Sequence, residues 1–116
     1  MNYPQSEGRR NQTATRNRLE FIEQMLDTVN LRTLTPDLIT RLYTDLDNII
    51  LEINNIPNEV EREYFRSKGA VLENLNGARV ALLFASQLLE EKRKPESFYL
   101  YLRECQTYLE KALANW

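Results

Sequence analysis

A stripe of apolar side chains between two prolines, Pro36 and Pro57, limits the possible folds more than any other feature of this chain. Its members recur every three or four residues and are Leu38, Leu42, Leu46, Ile49, Ile53 and Ile56. Such spacing places side chains on one face of an α-helix, whereas a half-buried strand would alternate at every second residue. Thr35 is a good N-cap, proline is favoured at the first helical position, and Asp37 complements the helix dipole. The sequence therefore predicts a helix that begins after Thr35 and ends at Pro57.

Three further segments have the same helical spacing, and no segment has a β-hairpin signal. The first helix is expected over about 13–31, with an apolar face made of Leu19, Ile22, Leu26 and Val29. The last helix is expected to begin near Pro95 and to bury Phe98, Leu102, Cys105, Leu109, Ala112 and Trp116. A chain of 116 residues is long enough to bury one core. We therefore predict an all-α, antiparallel four-helix bundle-like domain over 13–116, preceded by a disordered basic arm over 1–12.

The third helix could be continuous or broken. Its apolar positions keep their helical phase through Gly69 and Gly77, and Asn58 with Glu61 resembles a capping box at its start. Lys68 followed by glycine is also a common helix end, but no good N-cap residue follows it directly. The favoured prediction is one long third helix over about 58–93, about 54 Å in length at ~1.5 Å per residue. A break at Gly69 is the alternative.

The segment GARVALLFASQLLEE, residues 77–91, carries apolar side chains on every side of the third helix. At about 100° per residue, Leu82 faces one side, while Val80, Phe84 and Leu88 face nearly the opposite side. A helix that is apolar all round must be surrounded. A long third helix would need a second chain as cover, whereas a broken one could be buried within its own bundle.

Gly77, Ala81 and Ala85 lie four residues apart and form what we call the small-residue ridge. Such a ridge lets another helix approach closely. That helix belongs either to the same chain, as ordinary core packing, or to a second copy. The candidate self-association residues are Gly77, Val80, Ala81, Phe84, Ala85 and Leu88.

Two tyrosines of the last helix, Tyr101 and Tyr108, lie seven residues apart at the boundary of its core face. Tyrosines at such positions are either half-buried edges of a core or contacts with a partner protein. They are the candidate partner-binding residues.

The segment GRRNQTATRNR, residues 8–18, is basic and contains no acidic side chain. Its guanidinium groups could contact the phosphates of nucleic acid or of anionic lipid, but it has no aromatic side chain for base stacking. The candidate nucleic-acid-binding residues are Arg9, Arg10, Arg16 and Arg18. The alternative is a solubilising tail.

The side chains that carry most enzyme chemistry are missing. The chain has no histidine, which removes the usual general base and zinc ligand, and its single cysteine, Cys105, lies on a core face. Acidic side chains suit solvated helix faces better than a metal site, since no EF-hand loop is present; they are Glu20, Glu23, Asp27, Asp45, Asp47 and Glu52. We therefore expect a protein that is not an enzyme and has no cofactor, metal or small-molecule substrate.

The longest apolar run, Val80 to Ala85, is far shorter than the ~20 residues that cross a bilayer, and the N-terminal segment has no apolar signal-peptide region. We expect a soluble, cytoplasmic protein without a membrane partner.

The predicted function is a helical protein–protein interaction module, an adaptor or regulatory subunit that binds itself, as a homodimer, or another protein. The alternative is a small nucleic-acid-binding protein that uses the basic arm.

Overall fold

The computed structural model describes the backbone of residues 5–28, 35–91 and 96–116, and the side chains of residues 14–26, 35–91 and 96–116. Within these ranges the chain is helical and has no strand. The four α-helices are α1 (Gln5–Thr28), α2 (Pro36–Asn54), α3 (Lys68–Glu90) and α4 (Glu96–Ala114), and a 3₁₀ helix, Asn58–Glu63, lies between α2 and α3. The predicted all-α class is confirmed.

The helices form an antiparallel bundle with extents of 52 × 20 × 20 Å. Lys68 at the start of α3 contacts Ile56 just after α2, while Arg79 further along α3 contacts Asp47 earlier in α2, so the two helices run in opposite directions. Packing is most extensive between α3 and α4, then between α2 and α3 and between α1 and α4, and is least extensive between α1 and α2. The bundle-like architecture predicted from the sequence is confirmed.

The start of α2 agrees with its sequence signals. The Thr35 hydroxyl oxygen accepts a hydrogen bond from the Leu38 amide at 3.2 Å, Pro36 is the first helical residue, and Asp37 lies in the first turn. The buried side chains of α2 are Ile39, Leu42, Leu46, Ile49, Ile50 and Ile53. Ile39 and Ile50 lie beside the predicted stripe, and burial of both shows that α2 faces a wider core than a single stripe would fill.

The long third helix over 58–93 is a wrong prediction. The chain forms the short 3₁₀ helix, and α3 begins at Lys68, where the Ser67 hydroxyl oxygen accepts from the Ala70 amide at 3.1 Å. The N-cap thus lies before the Lys68-Gly69 pair rather than after it, and Gly69 is the second residue of the helix. At ~1.5 Å per residue, the 23 residues of α3 span about 35 Å, well short of the predicted 54 Å.

The predicted capping box at Asn58 is also wrong, since no side chain caps the 3₁₀ helix. The Asn58 side-chain oxygen instead accepts from the Lys68 ammonium group at 3.1 Å, and the Ile56 carbonyl oxygen accepts from the same group at 2.6 Å. Lys68 is only 7% exposed, so a buried charge joins the end of the α2 segment to the start of α3.

An aromatic cluster closes this end of the bundle. Phe65 is buried, and its ring lies edge-on to the Trp116 ring with 5.1 Å between centroids. The backbone amides of Arg66 and Ser67 donate to the Asn115 carbonyl oxygen at 2.9 and 3.3 Å. The junction between the 3₁₀ helix and α3 is therefore attached to the end of α4.

The first helix begins eight residues earlier than predicted, at Gln5, so residues 5–12 of the predicted arm lie in α1. The division of the chain into a disordered arm over 1–12 and a domain over 13–116 stays a prediction. The buried side chains predicted for α1 are confirmed for Leu19, Ile22 and Leu26, while the predicted end over 29–31 lies outside the described residues. In α4 the predicted core face is confirmed, with Trp116 half-buried, and the predicted start at Pro95 lies outside the described residues.

Candidate protein interaction surface

The small-residue ridge lies inside the bundle. Ala81 is 4% exposed and Ala85 is 0% exposed. A Cβ atom added at Gly77 would lie 2.9 Å from the Cδ1 and Cε1 atoms of Tyr108 on α4, closer than van der Waals contact allows. Of the two alternatives for the ridge, the structure shows core packing within the chain.

Three larger side chains that lie beside the ridge, on the side of α3 away from its core residues, are exposed. Val80 is 47% exposed, Leu83 is 40% exposed and Phe84 is 44% exposed. Positions that are three and four residues apart share one side of a helix, so these side chains are neighbours. A broken third helix is the alternative prediction from the sequence, and in that case the bundle of the same chain could bury the whole apolar segment. The helix does begin after a break, yet these side chains remain uncovered.

An aromatic contact extends this surface onto α4. The Tyr101 ring lies 5.4 Å from the Phe84 ring, measured between centroids, with an interplanar angle of 37°. We call the surface formed by Val80, Leu83, Phe84 and Tyr101 the α3–α4 patch. Leu88, the remaining candidate for self-association, is half-buried and packs against the core.

Tyr108, in contrast, makes contacts within the chain. Its ring covers Gly77, and the Lys111 ammonium nitrogen lies 5.8 Å from the ring centroid. The two candidate partner-binding tyrosines therefore occupy different environments: Tyr101 borders the exposed patch, and Tyr108 fills the gap that a glycine leaves.

The described arginines of the basic segment contact carboxylates of the same chain. The Arg16 Nε atom lies 3.4 Å from Glu20, and the Arg18 guanidinium donates to both carboxylate oxygens of Glu52 at 2.8 and 3.0 Å. The side chains of Arg9 and Arg10 lie outside the described residues. Nucleic-acid binding through these arginines stays a prediction, and its signature would be retention that weakens as salt rises.

Other polar side chains of the candidate sets also have structural contacts. The Arg79 guanidinium donates to an Asp47 carboxylate oxygen at 2.6 Å, across the α2–α3 interface. Across the described part of the chain, no three histidine, cysteine or acidic side chains come together as a metal site would require. Cys105 is fully buried, as expected for a core residue, and this burial raises the pKa of its thiol from 9.0 to about 12.

An open groove of about 290 Å³ lies between α1 and α2. It is lined by Asn17, Arg18, Phe21, Ile22 and Asp45. Phe21, which is 58% exposed, was not singled out from the sequence because it lies beside the helical stripe rather than on it. The exposure of Phe21 could have been inferred from the adjacent pair Phe21-Ile22, because two neighbouring apolar side chains point to different sides of a helix.

Leu83 was likewise absent from the sequence-based candidates, because on the helical wheel it lies at the flank of α3 rather than opposite the core.

None of the helices described is both long and apolar enough to span a membrane. In comparisons with known proteins, the chain matches no family model, no curated protein and no solved structure.

Proposed function

We propose that this chain is a non-enzymatic helical interaction module of the cytoplasm that binds a second copy of itself through the α3–α4 patch. The observation that carries the proposal is the exposure of Val80, Leu83 and Phe84, at 47%, 40% and 44%, as neighbours on one side of α3. Scattered exposed apolar side chains are normal, whereas a contiguous group of them is typical of an interaction site.

A second copy suits this surface because a two-fold interface uses the same patch twice. If two α3 helices lie antiparallel, with the patches in contact and the two-fold axis midway along the helix between Val80 and Phe84, Val80 of each copy faces Phe84 of the other. Helices that present apolar side chains at three- and four-residue spacing recognise each other by this kind of packing. The close approach that the small-residue ridge allows is already used by α4, so the contact between copies depends on the large side chains.

The charge of the chain also supports an association driven by apolar contact. Its formal net charge is −2, and Glu73 and Glu104 are exposed on the two helices that form the patch. Two copies therefore gain little from charge attraction, and added salt screens their repulsion. Dimerisation is expected to persist or strengthen at high salt, whereas nucleic-acid binding would weaken.

The absence of histidine from the whole sequence supports the non-enzymatic part of the proposal. A protein that catalyses no reaction acts by binding other molecules. We propose an adaptor or regulatory subunit, with the dimer as its working form.

Light scattering coupled to size-exclusion chromatography tests self-association across a range of protein concentrations. We expect the wild-type chain to have the mass of a dimer at micromolar concentration, and the variant with Val80→Ser and Phe84→Ser to have the mass of a monomer. Leu51→Ser is the matched control, because Leu51 is 55% exposed on α2 and lies outside the patch. The control is expected to remain a dimer, and all three proteins should keep their helical circular dichroism.

A wild-type chain that stays monomeric at every concentration would overturn self-association. A dimer that survives both patch substitutions would show that copies meet at another surface. In the first case the patch would be assigned to a different protein, the other partner class that the sequence allows.

A further inference from the structure

Helix α1 packs less extensively against its neighbours than α3 does. The two interfaces that hold α1, with α4 and with α2, are less extensive than those on either side of α3. Among the described side chains of α1, three large apolar groups are buried, namely Leu19, Ile22 and Leu26. Since the free energy that holds a helix in place grows with the apolar area it buries, the smaller interfaces of α1 indicate that it is held less firmly than α3.

Two polar contacts between the described side chains of α1 and α2 share one carboxylate as acceptor. Glu52 accepts hydrogen bonds from the Thr15 hydroxyl at 3.1 Å and from the Arg18 guanidinium at 2.8 Å. The Arg18 and Glu52 side chains are 43% and 46% exposed, and an ion pair so accessible to water contributes little to stability. On the opposite side, one contact between α4 and α1 joins the Gln106 amide to Glu23 at 3.5 Å, the outer limit for a hydrogen bond.

An open surface groove borders the α1–α2 interface. The groove of about 290 Å³ opens between the two helices, and Phe21 at its edge is 58% exposed. The largest apolar side chain in this part of α1 thus adds little to the attachment of the helix.

We infer that α1 is a detachable helix, which leaves the bundle while α2, α3 and α4 stay packed. Proteins open locally in cooperative units, and the unit with the fewest buried contacts opens at the lowest free energy. Opening uncovers the apolar side chains of α2 and α4 that Leu19, Ile22 and Leu26 cover in the closed bundle. The fold thereby contains a second apolar surface, separate from the α3–α4 patch, that is available only in the open state.

Hydrogen–deuterium exchange of the full chain, resolved by peptide mass spectrometry, tests this inference. We expect amides over 19–26 in α1 to exchange at least about tenfold faster than amides over 75–82 in α3, the ratio that about 1.4 kcal/mol of differential opening produces. Protection of α1 equal to that of α3 would overturn the inference, because the bundle would then open only as a whole.

A matched pair of variants separates local opening from global unfolding. Glu52→Ala removes the acceptor shared by Thr15 and Arg18, and is expected to speed exchange in α1 by about threefold while exchange in α3 stays unchanged. Asp47→Ala breaks the corresponding ion pair between α2 and α3, and is expected to leave exchange in α1 unchanged. If Glu52→Ala speeds exchange equally in both helices, α1 does not open on its own and the inference fails.

Discussion

The two glycines of α3 illustrate how one residue type can have opposite roles in a single helix. Gly69 has no atom within 4 Å of the position where a Cβ would be, so its side is open. At Gly77 the same added atom would lie 2.9 Å from the Tyr108 ring. Glycine lowers helix stability at both positions, but only at Gly77 does its lack of a side chain permit a contact.

Alanine at these two positions should therefore change stability in opposite directions. We expect Gly69→Ala to raise the free energy of unfolding by about 0.5 kcal/mol, because alanine favours the helix and meets no neighbour. Gly77→Ala should lower it by about 1 kcal/mol, because displacement of the Tyr108 ring outweighs the same helical gain. Urea denaturation of both variants with unchanged m-values measures the difference, and a stabilised Gly77→Ala protein would contradict the close contact.

The buried thiol of Cys105 gives the protein a dependence on alkaline pH. Its pKa is raised from 9.0 to about 12 by burial, so the unfolded chain loses this proton first as pH increases. Stability is thus unaffected by this group below pH 9 and decreases between pH 9 and about 12, by about 1 kcal/mol per pH unit. Comparing urea midpoints of the wild type and Cys105→Ala across this range isolates the thiol from the tyrosines. Parallel pH profiles would argue against its burial.

For the helices as units, side-chain caps define the starts of α2 and α3 better than the phase of the apolar stripe does. The stripe of the third helix passes through residues 58–67 without losing phase, which favoured a continuous helix. The structure instead has a 3₁₀ helix followed by α3, because Ser67 caps the new helix and Lys68 turns back to the Ile56 carbonyl oxygen. A buried lysine at that position could not be recognised from periodicity, since the carbonyl group that it binds is defined only by the fold.

Removing the Ser67 cap should weaken α3 specifically. We expect Ser67→Ala to lower the free energy of unfolding by about 1 kcal/mol, because the Ala70 amide loses its acceptor. Ser67→Asp should restore most of that loss, because a carboxylate caps equally well and favours the positive end of the helix dipole. Chemical denaturation is the measurement, and equal stabilities of Ser67→Ala and the wild type would show that the cap is dispensable.

Across the described part of the bundle, the number of α-helices, their antiparallel order and most core residues could be predicted from the sequence. Leu19, Leu46, Phe98 and Leu109 are all buried as their spacing indicates. The exposure of Val80 and Phe84 was harder to assign, because an apolar helix can be covered by its own chain or by another one. That outcome depends on where the neighbouring helices lie, and helical periodicity carries no such information.

A substitution at Ala81 tests whether this side chain packs inside the bundle or at a contact between two copies. Ala81→Leu adds three heavy atoms to a site that is 4% exposed, and overpacking of this kind costs about 1–3 kcal/mol. We expect the melting temperature to decrease while the mass of the particle stays that of the wild type. Ala114→Leu makes the same substitution at an exposed residue outside the α3–α4 patch; it is the control and should change stability by less than about 0.5 kcal/mol. A change of mass with unchanged melting would place Ala81 at a subunit contact instead.

The extensive packing of α3 against α4 has a consequence for the order of events during synthesis. These two helices are adjacent in the chain, so their contacts close short loops and should form quickly, as a nucleus for the remainder. A ribosome, however, releases α1 and α2 first, and their mutual interface is the least extensive in the bundle. We therefore expect the emerging chain to remain without a stable core, and to need protection from aggregation, until α4 leaves the exit tunnel.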